Sequence, residues 1–126
     1  MHSKIVMLCI VSVAIIQADE SISRFDSIDY EEILASERLL NNYVNCLLDR
    51  GPCTPEGNEL KKFLPDALAT NCGNCSPSRQ EKYDKILTFL AKNKKVSWHE
   101  LTVKYDPTGE YRLQYKESRG VDLDSL

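Results

Sequence analysis

The chain from Ser36 to Cys75 reads SERLLNNYVNCLLDRGPCTPEGNELKKFLPDALATNCGNC, and this stretch decides the fold. Its first part repeats apolar side chains at the 3.6-residue period of an amphipathic helix, at Leu39, Leu40, Tyr43, Val44, Leu47 and Leu48. Four cysteines, separated by six, eighteen and two residues, lie at Cys46, Cys53, Cys72 and Cys75. A wide apolar helix face beside closely spaced cysteines is typical of a small secreted helical domain with an enclosed apolar interior.

Residues 1–18 predict a secretory signal peptide. Lys4 precedes an apolar run over residues 5–16, and small and polar residues follow up to Ala18. The run is too short for a membrane-spanning helix, although a buried N-terminal helix is an alternative. We therefore expect cleavage after Ala18, export to the extracellular space and no membrane insertion of the mature chain.

The charge composition limits the kinds of partner that this chain is expected to bind. The chain has 16 basic and 19 acidic residues, with a formal net charge of −3, and loss of the signal segment makes that charge one unit more negative. A mildly acidic exported protein has no electrostatic reason to bind nucleic acid or anionic lipid. Cys9 leaves with the signal segment, so five cysteines become four, an even number suited to a closed disulfide set.

Capping signals and helical periodicity predict six helices and no strand in the mature chain. Residues able to cap a helix N-terminus precede each apolar run, at Asp29, Ser36, Thr54, Ser76, Ser97 and Asp106. Gly51 predicts an end of the second helix at Arg50, and Gly120 predicts the end of the sixth. Pro65 falls inside the third helix and predicts a kink or an early break.

These elements predict one all-α domain over residues 19–126, with 19–28 and 118–126 loosely ordered. The four cysteines allow three pairings, and spacing alone does not select one. A zinc site and a thiol redox motif at Cys72 and Cys75 are alternatives to structural disulfides. Zinc sites favour a closer partner pair and a reducing compartment, and the redox motif lacks its usual preceding strand, so we favour disulfides.

Catalysis finds little support in the sequence. His99 is the only histidine after cleavage, and no nucleophile or carboxylate lies at a telling spacing from it. The triplet Asn74-Cys75-Ser76 matches a glycosylation acceptor, although the following Pro77 opposes its use. We expect no enzyme activity, no catalytic residue, no metal and no cofactor.

The cysteine spacing and several short words resemble those of the insect chemosensory proteins, also called the OS-D-like family. The words are Arg38-Leu39-Leu40, Tyr43-Val44-Asn45-Cys46, Asp49-Arg50-Gly51, Cys53-Thr54-Pro55-Glu56-Gly57, Leu60-Lys61, Gln80-Glu81-Lys82 and Lys104-Tyr105-Asp106-Pro107-Thr108-Gly109. The resemblance covers essentially the whole mature chain. Pro65 departs from it, because the family usually has an ordinary helix former there, and Phe25 stands where a tyrosine is common.

The resemblance implies six helices around an apolar channel and two sequential disulfides, Cys46 to Cys53 and Cys72 to Cys75. It also implies reversible binding of long-chain fatty acids, alcohols, esters and pheromone- or odorant-like molecules. Tyr43 and Trp98 match aromatic positions associated with the channel. The helical pattern adds further expected lining residues: Leu40, Leu47, Leu60, Leu64, Leu68, Ile86, Leu87 and Leu90.

Our hypothesis from the sequence is a secreted carrier, monomeric, that takes a small apolar ligand out of water. Tyr43 or Trp98 would orient the polar head of that ligand. The alternative is a secreted signalling or developmental factor that acts through protein contacts, with the apolar interior serving only as core. A small thiol oxidoreductase is a further alternative and requires reducible Cys72 and Cys75. The sequence points to no particular receptor or delivery partner.

Overall fold

The computed structural model describes residues 28–126, so the predicted signal peptide and most of the predicted lead-in lie outside the described part. Six α-helices follow one another there, without strands, and a short 3-10 helix Leu123–Ser125 ends the chain. The helices are α1 Tyr30–Ala35, α2 Glu37–Leu47, α3 Pro55–Thr70, α4 Pro77–Asn93, α5 Lys95–Tyr105 and α6 Glu110–Arg119. The predicted all-α class is confirmed.

The first four helices begin where the capping residues predict. In each case a side-chain oxygen accepts the backbone N–H three residues later, which satisfies a donor that the helix itself leaves unpaired. The distance from the backbone nitrogen to the capping side-chain oxygen is 3.2 Å at Asp29, 3.3 Å at Ser36, 3.0 Å at Thr54 and 3.3 Å at Ser76. Prolines occupy the first positions of α3 and α4, where a missing N–H costs nothing.

The starts of α5 and α6 were predicted wrongly. Helix α5 begins at Lys95, two residues before the predicted cap Ser97, and no side chain caps it. Helix α6 begins at Glu110, after a turn that ends at Gly109 with φ of 78°. Asp106 still caps α6, but from a distance, because its buried carboxylate reaches forward past that turn.

Helix α2 ends earlier than Gly51 predicts. Its last helical residue is Leu47, and Asp49 takes the left-handed conformation with φ of 59°. The N–H of Arg50 then donates to the carbonyl of Asn45 over 2.8 Å, which is the six-to-one bond of a Schellman ending. Aspartate tolerates left-handed φ better than most residues, so a glycine is not needed at this stop.

Helix α3 continues through Pro65 from Pro55 to Thr70, so the predicted early break does not occur. The Pro65 side chain is exposed to solvent. A proline on the outer face removes one backbone hydrogen bond but leaves the inner face free to pack. The helix ends at Asn71, whose φ of 53° is left-handed.

Both disulfides implied by the resemblance are present, and neither joins distant helices. Cys46 and Cys53 bridge the turn between α2 and α3, with their Cα atoms 5.0 Å apart. Cys72 and Cys75 bridge the turn between α3 and α4, with their Cα atoms 5.1 Å apart. The helices are therefore pinned at two turns, and apolar packing holds the rest of the bundle.

The C-terminal segment after α6 packs on the bundle, and the predicted loose order of residues 118–126 stays a prediction. Helix α6 runs to Arg119, and Gly120 ends it with φ of 73°, as predicted. Leu123 is only 2% exposed and belongs to a core cluster with Tyr83 and Tyr115. Burial of an apolar side chain on the bundle stabilises the position of a short terminal segment. The sequence pattern alone does not predict which residues Leu123 contacts.

The core has two clusters that meet at one residue. The first contains Leu87, Tyr115 and Leu123, and the second contains Leu40, Leu90 and other leucines of α2 and α5. Trp98 of α5 packs against both clusters. Two apolar cavities lie within this packing.

Candidate ligand-binding cavities

Two adjoining apolar cavities occupy the interior of the bundle. One, here called the α1-side cavity, has a volume of about 120 Å³ and the other, the α6-side cavity, about 90 Å³. A common wall of mostly aliphatic side chains lines both: Leu47, Leu60, Leu64, Tyr83, Ile86, Leu87, Leu90 and Leu101. The two cavities therefore adjoin along this wall.

The α1-side cavity lies between α1, α2, α3 and α4. Beyond the common wall it is lined by the apolar or aromatic residues Ile28, Tyr30, Ile33, Leu34, Leu40, Tyr43, Val44 and Phe63. Arg79 and Lys82 complete the lining. The apolar side chains of α2 face the cavity because they recur on one side of the helix.

The α6-side cavity lies between α3, α4, α5 and α6. Beyond the common wall it is lined by Leu68, Trp98, Thr102, Tyr105, Asp106, Tyr111, Arg112, Tyr115 and Leu123. Its charged groups are matched, since Arg112 Nε donates to Asp106 over 2.9 Å. This cavity is therefore apolar with an internally neutralised polar end.

One buried side-chain donor lies in this region. The indole N–H of Trp98 is buried and makes no hydrogen bond among the described residues. A buried donor without an acceptor is rare and energetically unfavourable. Trp98 itself lines the α6-side cavity.

Buried tyrosines in the walls stay neutral at physiological pH. Burial, reinforced by the Asp84 carboxylate, raises the pKa of Tyr115 to about 12. Burial likewise raises the pKa of Tyr83, which lies in the common wall, above its ordinary value. These two tyrosines therefore add no charge to the cavity walls.

All ten lining residues predicted from the sequence lie on the cavity walls. Leu40 and Tyr43 face the α1-side cavity only, Leu68 and Trp98 the α6-side cavity only, and the remaining predicted residues form part of the common wall: Leu47, Leu60, Leu64, Ile86, Leu87 and Leu90. Their role in ligand binding stays a prediction.

The predicted set omits several residues that lie in the cavity walls. Ile33 and Leu34 of α1 line the α1-side cavity, and a helix of six residues is too short to show a clear apolar period. Tyr105 and Tyr111 line the α6-side cavity. The sequence indicates that both tyrosines are aromatic residues able to line a pocket, but aromatic character alone does not separate core from cavity wall.

Within residues 28–126, no cluster of three or more histidine, cysteine or acidic side chains could hold a metal ion. None of the helices in that range combines the length and apolar character needed to cross a membrane.

Comparison with known proteins identifies the family. The model of the insect pheromone-binding family A10/OS-D matches residues 22–113. Ejaculatory bulb-specific protein 3 of Drosophila melanogaster is 43% identical over 123 residues, which cover 94% of this chain and 98% of that protein. Allergen Tha p 1 of Thaumetopoea pityocampa is 47% identical over 94 residues, which cover 75% of each chain.

Solved structures show the same architecture. A chemosensory protein in complex with bromo-dodecanol is 45% identical, with a TM-score of 0.67 over 75% of this chain and 94% of that chain. The antennal chemosensory protein A6 from the moth Mamestra brassicae is 44% identical, with a TM-score of 0.63 over 74% and 91%. The family is one of small-ligand carriers rather than enzymes. With its six helices, sequential disulfides and adjoining apolar cavities, this chain belongs to the insect pheromone-binding family A10/OS-D.

Proposed function

We propose that this protein is a secreted carrier that reversibly binds one long-chain apolar molecule along the two adjoining cavities. The occupants would be fatty acids, alcohols, esters and similar pheromone- or odorant-like molecules. The observation that carries the proposal is the common wall, which joins the α1-side and α6-side cavities through leucine and isoleucine side chains. A chain-like ligand could use both spaces at once.

The size and lining of the cavities favour apolar occupants. A leucine-lined cavity of about 150 Å³ in another protein stays dry and takes up small apolar molecules such as benzene. The α1-side cavity, at about 120 Å³, is of the same order. Each buried methylene contributes about 0.8 kcal/mol, so affinity should rise with ligand chain length until both cavities are filled.

Disulfide placement supports adaptation to chain length. Both bridges close short turns, with sequence separations of 7 and 3, and leave the helices free to shift against one another. The related chemosensory protein in complex with bromo-dodecanol shows that a twelve-carbon alcohol derivative can be held by a relative of this fold. A straight-chain alcohol is accordingly a suitable first probe.

The polar head of a neutral ligand has a candidate donor in Trp98. A hydroxyl or ester oxygen near the indole would accept from an N–H that is otherwise unpaired among the described residues. A neutral group can be buried there once it is hydrogen-bonded, whereas a buried charge would need a counter-charge. We therefore assign the head of alcohols and esters to the α6-side cavity.

Native mass spectrometry of the oxidised protein with C10 to C20 acids, alcohols and esters tests the carrier proposal. We expect one-to-one adducts that weaken at least tenfold in Leu64→Trp and Leu90→Trp, because each larger side chain fills the common wall. Such overpacking costs about 1–3 kcal/mol of stability, so circular dichroism must show that each variant folds. Leu113→Trp is the matched control, since Leu113 is 56% exposed.

Intrinsic fluorescence provides a second readout in the unmodified protein. Trp98 is the only tryptophan of the chain and lines the α6-side cavity, so ligand entry should change its emission. Absence of adducts and of any emission change with every chain tested would overturn the carrier proposal. That result would favour the alternative, a secreted factor acting through protein contacts.

A further inference from the structure

The α4 face that lines the α1-side cavity changes character along its length. Toward the C-terminal end of the helix it presents Ile86 and Leu90 to the cavity. Toward the N-terminal end it presents Arg79 and Lys82. These positions follow helical spacing, so one stripe of α4 runs from aliphatic to cationic along the cavity wall.

The described charged residues that line the α1-side cavity are cationic. Among the described residues, the α1-side cavity has no aspartate or glutamate in its lining. The α6-side cavity, in contrast, pairs Arg112 with Asp106 within its own wall. The two cavities therefore differ in the charged residues that line them.

The start of α4 adds to the positive potential. The helix begins at Pro77, so Arg79 lies in its first turn and Lys82 in its second, near the positive pole of the helix dipole. Arg79 and Lys82 are both partly buried, so water screens their charges less than it would screen those of exposed side chains. Both also have other interactions, which an incoming anion would join or replace.

We propose that Arg79 and Lys82 form a carboxylate site, which holds the head of a fatty acid at the α1-side end while its tail runs along the common wall. This inference rests on the proposed carrier function and adds a head-group site and a direction of binding. A carboxylate makes strong charge-assisted hydrogen bonds with guanidinium and ammonium groups. It is also the form of the ligand that is most costly to bury without a counter-charge.

Ligand chemistry then decides the orientation. Acids bind with the head beside Arg79 and Lys82, and neutral alcohols and esters bind with the head beside the indole N–H of Trp98. The same wall accepts either tail, because it is apolar over both cavities. The two classes should consequently depend on different residues.

The test compares dodecanoic acid, 1-dodecanol and methyl dodecanoate by isothermal titration calorimetry at pH 7.5. Variants are the double change Arg79→Gln with Lys82→Gln, and the single change Trp98→Phe. The control double change, Lys62→Gln with Lys92→Gln, removes the same charge from exposed positions outside both cavities. Circular dichroism confirms that each variant retains its helices.

We expect the Arg79 and Lys82 double change to lower the affinity for dodecanoic acid by roughly 5- to 30-fold, because one or two charge-assisted hydrogen bonds are lost. The affinity for each neutral ligand should fall by less than twofold. Trp98→Phe should weaken the neutral ligands by roughly two- to tenfold and leave the acid within twofold. Raising the salt concentration should weaken the acid alone, and only in protein that retains Arg79 and Lys82.

Two results would overturn the carboxylate site. The first is equal loss of acid and alcohol binding in the Arg79 and Lys82 double change. The second is an acid affinity that this change leaves intact, or that the control change lowers to the same extent. Failure of every ligand to bind the wild-type protein would instead refute the carrier function itself.

Discussion

Arg112 donates from Nε to a carboxylate oxygen of Asp106 over 2.9 Å, across the turn that separates α5 from α6. The same carboxylate accepts the backbone N–H groups of Tyr111 and Arg112, each over 3.1 Å. Asp106 is only 4% exposed. One buried side chain thus caps α6, pairs a cation and closes the polar end of the α6-side cavity.

Asp106→Ala should therefore lower the free energy of unfolding by about 2–4 kcal/mol, because it removes a cap and leaves a partly buried guanidinium with one fewer partner. Asp106→Asn should cost less, since the amide oxygen can still accept one N–H. Urea unfolding at pH 7 measures both. Asp124→Ala is the control, because Asp124 pairs with the same arginine at 3.0 Å but is exposed. Equal losses at Asp106 and Asp124 would contradict this account.

Asp49 joins the end of α2 to two other helices. Its carboxylate pairs with Lys104 of α5 at 2.5 Å and with Lys61 of α3. The hydrogen bond from Lys104, followed by that from Lys61, lowers the pKa of Asp49 from 3.8 to about 2. The contact is exposed to solvent, so its effect should appear mainly in the pH dependence of stability.

A depressed folded-state pKa stabilises the protein above the unfolded pKa, and that contribution is lost as pH falls through the folded value. Above about pH 5, the urea midpoint of unfolding should be higher for the wild-type protein than for Asp49→Asn. This difference in midpoint should disappear as the pH approaches about 2. Asparagine also tolerates the left-handed φ at this position, so the backbone is unchanged. A difference that stays constant with pH would show that the pairing with lysine contributes nothing.

Tyr115 should make the folding stability depend on pH in alkaline solution as well. Its hydroxyl donates to Asp84 over 3.0 Å, and burial raises its pKa to about 12. The unfolded chain loses this proton near pH 10, so folding stability falls as pH rises above that value. Tyr115→Phe should cost about 1 kcal/mol at pH 8, and the difference from wild type should narrow above pH 10. A gap that widens above pH 10 would refute this assignment.

The last carbonyl of α2 has two side-chain donors from α5. Tyr105 donates its hydroxyl to the carbonyl of Leu47 over 2.6 Å, and Lys104 donates to it over 2.7 Å. Tyr105→Phe should cost about 1 kcal/mol, because Lys104 still satisfies the carbonyl. Adding Lys104→Met should cost more than the sum of the single changes, since the carbonyl then has neither donor. Additive losses in a double-mutant cycle would exclude this coupling.

Local signals in the sequence predicted much of the architecture correctly. Thr54 and Ser76 each precede a proline, and both begin helices as predicted, because a cap acts on the N–H groups of the next turn. Helical periodicity placed Leu64 and Leu90 on inner faces, and both line the cavities. The exported location and the signal peptide stay predictions, since residues 1–27 lie outside the described structure.

Other features depended on contacts between segments distant in the chain. Helix α2 stops at a left-handed Asp49 rather than at Gly51, and Asp49 is held there by lysines 12 and 55 residues away. Leu123 joins the core because α4 and α6 leave room for it, although its neighbours in sequence are polar. A local sequence pattern reflects only residues about one helical turn apart, so it does not predict these long-range contacts.

Apolar periodicity and capping chemistry were therefore enough to determine that this chain forms a helical bundle with an apolar interior, because both act between residues one helical turn apart. Only tertiary packing decided that two adjoining cavities form, that Arg79 and Lys82 line one of them, and that Trp98, which lines the other, has a buried N–H without a partner among the described residues. Cavities form where side chains from several helices fail to meet, and that mismatch is a property of the assembled bundle rather than of any one helix.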